Sequence, residues 1–125
     1  MNTSSEDPGE LISRFCAQWG TGDYASLLEY FAEDAIYHNI PMEPLQGVEE
    51  IKDFLEGFSA MAKSIDFVIH RQVVSGNIVM NERTDTLRMN DGNVVNLPVM
   101  GTFEVEDGKI VAWRDYFDMG QFTGG

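Results

Sequence analysis

The chain has 125 residues, with eight basic and twenty-one acidic side chains and a formal net charge of −13. Apolar residues make up 43% of it, so we expect one folded domain over residues 1–125 with a real core. The strong negative charge argues against nucleic acid, anionic membrane surfaces and anionic substrates as partners.

Cysteine content and hydropathy narrow the setting further. Cys16 is the single cysteine, so no intrachain disulfide can form and a reducing, cytoplasmic compartment is expected. No run of about 18 apolar residues is present, which predicts no membrane span. The polar, acidic start of the chain does not resemble a signal peptide, and we expect residues 1–7 to be flexible.

The first half of the chain predicts three helices. Asp7-Pro8-Gly9-Glu10 has the form of a capping box with proline at the first helical position, and Gly20 ends the run. Asp23 is placed to cap a short second helix, and a third follows Gly47. Their apolar positions are Leu11, Ile12, Phe15, Cys16 and Trp19, then Tyr24, Leu27, Leu28 and Phe31, then Val48, Ile51, Phe54, Leu55, Phe58 and Met61.

Strands are predicted between and after these helices. One strand is expected over residues 35–40, where Pro41 stops it. From Ile65 onward the hydrophobic pattern has a period of two, with turn signals at residues 75–77, 90–92 and 106–108. This pattern predicts four strands in an antiparallel meander. Helices followed by strands indicate an α+β fold, with the helices packed on one face of the sheet.

Two charged clusters lie inside predicted strands, namely Glu82-Arg83-Thr84-Asp85 and Trp113-Arg114-Asp115-Tyr116-Phe117-Asp118. Arg83 and Asp85 are two residues apart and share a face, while Asp115 shares its face with apolar neighbours. A carboxylate on an apolar face needs a partner or a shifted pKa. An arginine between two aspartates can keep one ionised and the other protonated, which suits acid-base chemistry. A purely structural ion-pair network is the alternative.

The turns predict a register that brings these residues together. Three-residue hairpin loops with glycine in the left-handed position would pair Met89 with Asn93 and Val105 with Lys109. One row of the sheet would then contain Arg83, Val99 and Asp115, and the next row Asp85, Leu97 and Phe117. The backbones of Arg83 and Asp115 would lie about 10 Å apart, which an arginine side chain can bridge. Two-residue loops would reverse the parity and separate the three charged residues.

Other polar residues are less specific. Tyr37 and Asn39 share a face of the first strand and could orient a water molecule, although an exposed edge strand explains them equally well. His70 has no second ligand nearby, so no metal site is predicted. The sequence contains neither a glycine-rich phosphate loop nor a Gly-x-Ser-x-Gly elbow.

Four segments together resemble the limonene-1,2-epoxide hydrolase family: residues 28–34, Tyr37-His38-Asn39-Ile40-Pro41 and the two charged clusters. The resemblance extends from Leu11 to Phe122. It implies a strongly curved mixed sheet with helices closing a deep pocket, of the cystatin-like or nuclear-transport-factor-2-like kind. It also implies a homodimer that needs no cofactor.

The resemblance also implies roles for individual residues. Asp115 would be the general base, Asp85 the general acid and Arg83 the bridge between them, while Tyr37 and Asn39 would hold the attacking water. The reaction would be a one-step hydrolysis of a small apolar epoxide to a diol, without a covalent intermediate. The expected pocket lining is Cys16, Trp19, Phe58, Met61, Leu87, Leu97, Val99, Phe117 and Phe122.

Two other functions remain open at this point. A ketosteroid-isomerase-like or polyketide-cyclase-like enzyme could use the same pocket with an aspartate base. A non-catalytic small-molecule-binding or dimerisation module of the same fold would need the charged residues only to stabilise its sheet.

Overall fold

The computed structural model describes residues 7–123, with side chains up to Gln121. Of the segment expected to be flexible, residues 1–6 lie outside the described residues. The elements in chain order are α1 (Pro8–Trp19), a 3₁₀ helix (Ala25–Tyr30), β1 (Phe31–Asn39), β2 (Leu45–Gln46), α2 (Val48–Met61), β3 (Ala62–Ser75), β4 (Ile78–Met89), β5 (Val94–Glu106), β6 (Lys109–Tyr116) and α3 (Met119–Thr123).

The helices follow their sequence signals closely. Asp7 caps α1, where its Oδ2 accepts a hydrogen bond from the backbone N–H of Glu10 at 3.1 Å, and Gly20 ends the helix. The second predicted helix is a 3₁₀ helix, and Phe31 begins β1 instead of closing that helix. The first strand therefore starts at Phe31, before the predicted start at residue 35. The prediction missed residues 31–34 because the acidic Glu33 and Asp34 interrupt the apolar pattern of the strand.

The sheet has six strands in the order β2-β1-β6-β5-β4-β3. The predicted meander of β3 to β6 is antiparallel, whereas β1 runs parallel to β6 and makes the sheet mixed. The sheet is curved and open, with the helices against it, as expected for the α+β class. None of the helices within residues 7–123 is both long and apolar enough to cross a bilayer.

The core lies between α1 and the inner face of the sheet. Phe15 of α1 is fully buried at its centre, and its ring packs edge-on against five aromatic rings at centroid distances of 5.1–6.1 Å. These partners are Trp19, Tyr30, Phe31, Phe103 and Trp113. Such a cluster supplies much of the apolar burial that holds a small domain together.

The register between β4 and β5 confirms the prediction. Met89 donates its backbone N–H to the carbonyl of Asn93 at 2.8 Å, closing a three-residue loop in which Gly92 has a φ of 93°. Arg83 consequently lies opposite Val99, and Asp85 opposite Leu97.

The register between β5 and β6 differs from the prediction. Glu106 pairs with Lys109 across a two-residue turn, where Asp107 and Gly108 have φ values of 52° and 75°, as in a type I′ hairpin. This turn alone would reverse the parity. A β-bulge at Val111, between the Val105 and Glu104 pairings, adds one residue to β6 and restores the parity.

The consequence is a displacement of two residues along β5. Asp115 lies opposite Gly101 instead of Val99, and Phe117 is not in the row of Leu97. Arg83 and Asp115 nevertheless point to the same inner face, because both irregularities together shift the pairing by an even number of residues.

Candidate active site

Arg83 lies at the centre of a buried polar cluster and is 1% exposed. Its Nε donates to Oδ1 of Asp85 at 2.7 Å, and its Nη2 donates to Oδ2 of Asp85 at 3.1 Å. The same Nη2 donates to Oδ2 of Asp115 at 2.5 Å. The expectation that Arg83 contacts both aspartates is therefore confirmed. Burial alone would lower the pKa of Arg83, but Asp115 and Asp85 raise that pKa, so the guanidinium stays charged.

The guanidinium reaches Asp115 because the residue opposite Asp115 is a glycine. A Cβ added to Gly101 would collide with Nη1 of Arg83 and would lie 2.7 Å from Oδ1 of Asp115. Phe67 supports the guanidinium from another side, with its ring centroid 4.4 Å from the central carbon of Arg83. The path of Arg83 is thus set by one absent side chain and one aromatic face.

Asp115 is 3% exposed and accepts hydrogen bonds on both carboxylate oxygens. Oδ2 receives Arg83, and Oδ1 receives the indole N–H of Trp113 at 2.6 Å. Burial raises the pKa of Asp115, while the charge of Arg83 and the two donated hydrogen bonds oppose that rise. Each oxygen retains a second acceptor position, so the ionised carboxylate can still take a proton from a third group.

Asp85 is 6% exposed and lies at the wall of a cavity. Burial raises the pKa of Asp85 from 3.8 to about 7, against the opposing effect of Arg83. The charge of Asp115 adds to the rise. Asp85 therefore exchanges its proton near neutral pH and can act as a proton donor into the cavity.

Tyr37 and Asn39 complete the polar end of this cavity. The hydroxyl of Tyr37 donates to Oδ1 of Asn39 at 3.3 Å, and Asn39 pairs with Asp115 in the parallel register of β1 and β6. Tyr37 stacks on Trp113 with ring centroids 4.0 Å apart, which fixes its orientation. Burial raises the pKa of Tyr37 well above its ordinary value, so the phenol stays neutral.

The cavity is narrow and partly open to the surface. Its wall is mostly apolar and aromatic, apart from Tyr37, Asn39 and Asp85. The lining residues are Trp19, Tyr37, Asn39, Met42, Phe54, Phe58, Ile65, Phe67, Asp85, Leu87, Leu97 and Phe117.

Five of the expected lining residues line this cavity: Trp19, Phe58, Leu87, Leu97 and Phe117. Three others do not. Cys16 lies behind the charged cluster, where burial raises the pKa of its thiol to about 12. Met61 ends α2 and is 54% exposed, and Val99 borders a shallow depression beside His70 and Tyr116 instead. The side chain of Phe122 lies outside the described residues.

Several residues of the site were not found from the sequence. Two of them could have been suspected. Gly101 lies inside a strand, where a glycine often marks a close approach of another group, and Asn81 is two residues from Arg83 and so lies on the same face of β4. The sequence places Trp113 on the same face as Asp115, but its hydrogen bond to Asp115 was not predicted. Met42, Phe54, Ile65 and Phe67 line the cavity without any polar signal. Among residues 7–123, no three His, Cys, Asp or Glu side chains are grouped as a metal site would require.

Comparison with known proteins identifies the family of the chain. Residues 7–123 match the model of the limonene-1,2-epoxide hydrolase catalytic domain. Epoxide hydrolase EphG of Mycobacterium tuberculosis is 32% identical over 97 residues, which cover 78% of this chain and 64% of that protein. The chain thus aligns with somewhat under two thirds of the length of EphG.

Solved structures with the same fold include a member of this family and more distant proteins. The structure of an M. tuberculosis LEH-like epoxide hydrolase matches with a TM-score of 0.83 and 29% identity, covering 94% of this chain and 87% of that one. A SnoaL-like protein from Shewanella denitrificans matches with a TM-score of 0.82 but only 17% identity, over 94% of both chains, and shares the fold alone. Together with the matched family model, these findings show that the chain belongs to the limonene-1,2-epoxide hydrolase family.

Proposed function

We propose that this protein hydrolyses a small apolar epoxide to a vicinal diol by direct attack of water. The observation that supports this most is the hydrogen-bonded series Asp85–Arg83–Asp115 beside Tyr37 and Asn39. It supplies a buried base, a buried acid and two neutral groups that can hold water. The names of the matched M. tuberculosis proteins, both epoxide hydrolases, support the same reaction.

Asp115 is the better base of the two carboxyl groups. It receives hydrogen bonds from Arg83 and from Trp113, and both stabilise the ionised form. A water held by Tyr37 and Asn39 gives its proton to Asp115, and its oxygen forms the new bond to a ring carbon.

Asp85 is the better acid because it faces the cavity and has a pKa raised to about 7. As the C–O bond of the epoxide breaks, the proton of Asp85 passes to the leaving oxygen. The products are a neutral diol, protonated Asp115 and ionised Asp85. A proton must then move from Asp115 to Asp85 before the next turnover, and Nη2 of Arg83 contacts an oxygen of each.

The cavity wall restricts the substrate to uncharged, mostly apolar epoxides. Phe54, Phe58 and Leu97 offer no partner for a charged group. The net charge of −13 additionally repels anionic compounds. Limonene-1,2-epoxide is one epoxide of suitable character to include in a substrate panel.

The first test is a panel of cyclic terpene, cycloalkene and aryl epoxides, with diol formation followed by chiral gas chromatography. We expect at least one apolar epoxide to give diol with saturation kinetics. A panel without enzyme-dependent diol would contradict the proposal.

The second test distinguishes direct water attack from an ester intermediate. A single turnover in ¹⁸O-water, with enzyme in excess, should place the heavy oxygen in the diol at once. Unlabelled diol in the first turnover, with label left in the protein, would overturn the one-step mechanism.

We further propose that two copies of the chain associate through the outer face of the sheet, opposite the cavity. Its charged residues include the ion pairs Arg71–Glu82 and Arg114–Glu104, in each of which the two charges offset one another. The apolar side chains exposed on this face are Ile36, Val68, Val73, Met80, Met100 and Tyr116. Light scattering should give a dimer mass for the wild type and a monomer mass for Met100→Glu. A monomeric wild type at micromolar concentration would refute this assembly.

A further inference from the structure

Arg83 makes one contact that the proposed reaction does not use. Its Nη1 donates to Oδ1 of Asn81 at 3.1 Å, and Asn81 is 1% exposed. The two residues are two positions apart on β4, and Asn81 pairs with Gly101 on β5. Asn81 therefore contacts the edge of the guanidinium that faces away from Asp85.

The orientation of the Asn81 amide is set by its other hydrogen bonds. Its Nδ2 donates to Oε1 of Gln72 at 3.1 Å and lies 4.0 Å from the sulfur of Cys16. Gln72 in turn donates to the carbonyl of Gly9 and to the hydroxyl of Ser13, both in α1. A reversed amide would point its donors at Nη1 and lose the bond to Gln72, so only one orientation satisfies all partners.

The neutrality of Asn81 matters as much as its position. Arg83 is a single cation between two buried carboxyl groups, an arrangement that favours retention of one proton by the pair. A third carboxylate at residue 81 would compete for Arg83 and add negative charge close to Asp85. An apolar residue would leave Nη1 buried without an acceptor, which costs about 1–3 kcal/mol.

We propose that Asn81 is a positioning residue that holds Arg83 in the geometry linking Asp85 and Asp115 while adding no charge to the site. This inference rests on the acid-base reaction proposed above. The side-chain partners of Asn81 are Arg83, Gln72 and Cys16, so it acts on the reaction through Arg83 rather than on the substrate.

Few other ionisable groups face this cluster. Cys16 comes from α1 and Tyr37 from β1, and burial raises the pKa of both so that they stay neutral. Asp85 and Asp115 are the remaining partners of Arg83. A shift in the pH profile after a change at residue 81 therefore reports on these two aspartates.

The test compares Asn81→Leu, which removes the acceptor, with Asn81→Asp, which keeps the shape and adds a carboxylate. In Asn81→Leu we expect kcat to fall on the order of 10-fold to 100-fold, with little change in KM, because Arg83 is misplaced but the cavity is intact. In Asn81→Asp the alkaline limb of the kcat/KM profile should move up by about one pH unit, because added negative charge holds the proton on Asp85 more tightly.

Asn96→Leu is the matched control. Asn96 is an exposed amide on β5 that bonds to Thr86 away from the site, so its loss should leave kcat and the pH profile unchanged. Circular dichroism and thermal melting establish that each variant is folded. If Asn81→Leu does not fold, Asn81→Asp decides the question at pH values where it is folded.

A second readout does not depend on catalysis. ¹³C NMR of the side-chain carboxyl carbon of Asp85 should show its titration shifted to higher pH in Asn81→Asp relative to the wild type. If the wild type opens no epoxide but the Asp85 titration also shifts in Asn81→Leu, which adds no charge, the proposed reaction is wrong and the positioning role stands. If the wild type is active and the folded variants keep its kcat, pH profile and Asp85 titration, then Asn81 is merely structural and the inference is overturned.

Discussion

The guanidinium of Arg83 occupies the space that a side chain at residue 101 would fill. Arg83 can therefore reach Asp115 only because residue 101 is a glycine. Gly101 lies in the middle of β5, where a glycine otherwise weakens a strand. Its presence there is explained by this close approach rather than by backbone conformation.

Gly101→Ala should therefore disrupt the site. The added methyl group meets both Arg83 and Asp115, and one of them must move. We expect a loss of activity of at least about 10²-fold, since small displacements of catalytic groups have effects of this size. Thermal melting should show destabilisation of about 1–3 kcal/mol.

Gly57→Ala is the control for this substitution. A Cβ at Gly57, in α2, would meet nothing within 4 Å, and alanine favours the helix by up to about 1 kcal/mol. This variant should melt at the same or a higher temperature and keep full activity. Equal behaviour of the two alanine variants would contradict the role of Gly101.

Asp115→Asn should abolish the base while keeping the shape. We expect diol formation to fall by at least about 10²-fold, because an amide cannot accept the proton of the attacking water. Asp53→Asn, at an exposed position of α2, should have no effect. Initial rates with excess epoxide measure both, and near-normal turnover in folded Asp115→Asn would refute the assigned role.

Arg83→Lys should be tolerated poorly although the charge is kept. A lysine ammonium cannot reproduce the planar fork that contacts Asp85 through two nitrogens and Asp115 through one of them. We expect at least about a tenfold loss of kcat. Arg71→Lys is the matched control, because Arg71 is 78% exposed in its ion pair with Glu82. Equal rates in the two variants would argue against a catalytic bridge.

The activity should fall as the pH rises through about 7. The pKa of Asp85 is raised to about 7, so the proton that it must donate is lost above that value. A kcat/KM profile between pH 5 and 9 tests this, with the epoxide's spontaneous hydrolysis subtracted at each pH. A rate that stays level up to pH 9 would exclude Asp85 as the acid at this pKa.

The stability should change over the same range. A carboxyl group whose folded-state pKa is raised binds more protons in the folded state between about pH 4 and 7, so the protein loses stability as the pH rises through that window. The remaining carboxylates obscure this effect in the wild type alone. The difference in unfolding free energy between wild type and Asp85→Asn should therefore shift against the wild type from pH 4 to pH 7, by one to a few kcal/mol. Chemical denaturation at both pH values measures it, and a difference independent of pH would contradict the raised pKa.

Local patterns were enough to predict the helices and the meander. The cap of α1 and the apolar spacing of α2 depend on neighbouring residues, which a sequence displays directly. The parallel contact of β1 with β6 brings together Asn39 and Asp115, which are distant in the chain, and only the family resemblance placed them in one site.

The pairing of β5 with β6 was harder to predict from the sequence than the helices and the meander. Asp107-Gly108 fits both a two-residue and a three-residue turn, and the bulge at Val111 has no signal in a valine flanked by apolar residues. The predicted coincidence of Arg83 and Asp115 on one face was confirmed because two one-residue errors compensated. The cavity wall was partly missed because an apolar strand residue such as Phe67 or Ile65 looks the same in the sequence whether it lines a cavity or fills the core.

The bulge at Val111 makes the length of a short segment as important as its composition. If Val111 were kept but drawn into the regular ladder opposite Glu104, Asp115 and Trp113 would turn away from Arg83 onto the opposite side of the sheet, although every catalytic residue would still be present in the chain. An inserted residue between Lys109 and Ala112 would have the same effect unless a second bulge absorbed it, so substitutions should accumulate there more easily during evolution than insertions. A homologue that lacks the bulge needs one residue fewer between its last hairpin turn and the aspartate to keep the aspartate on the inner face.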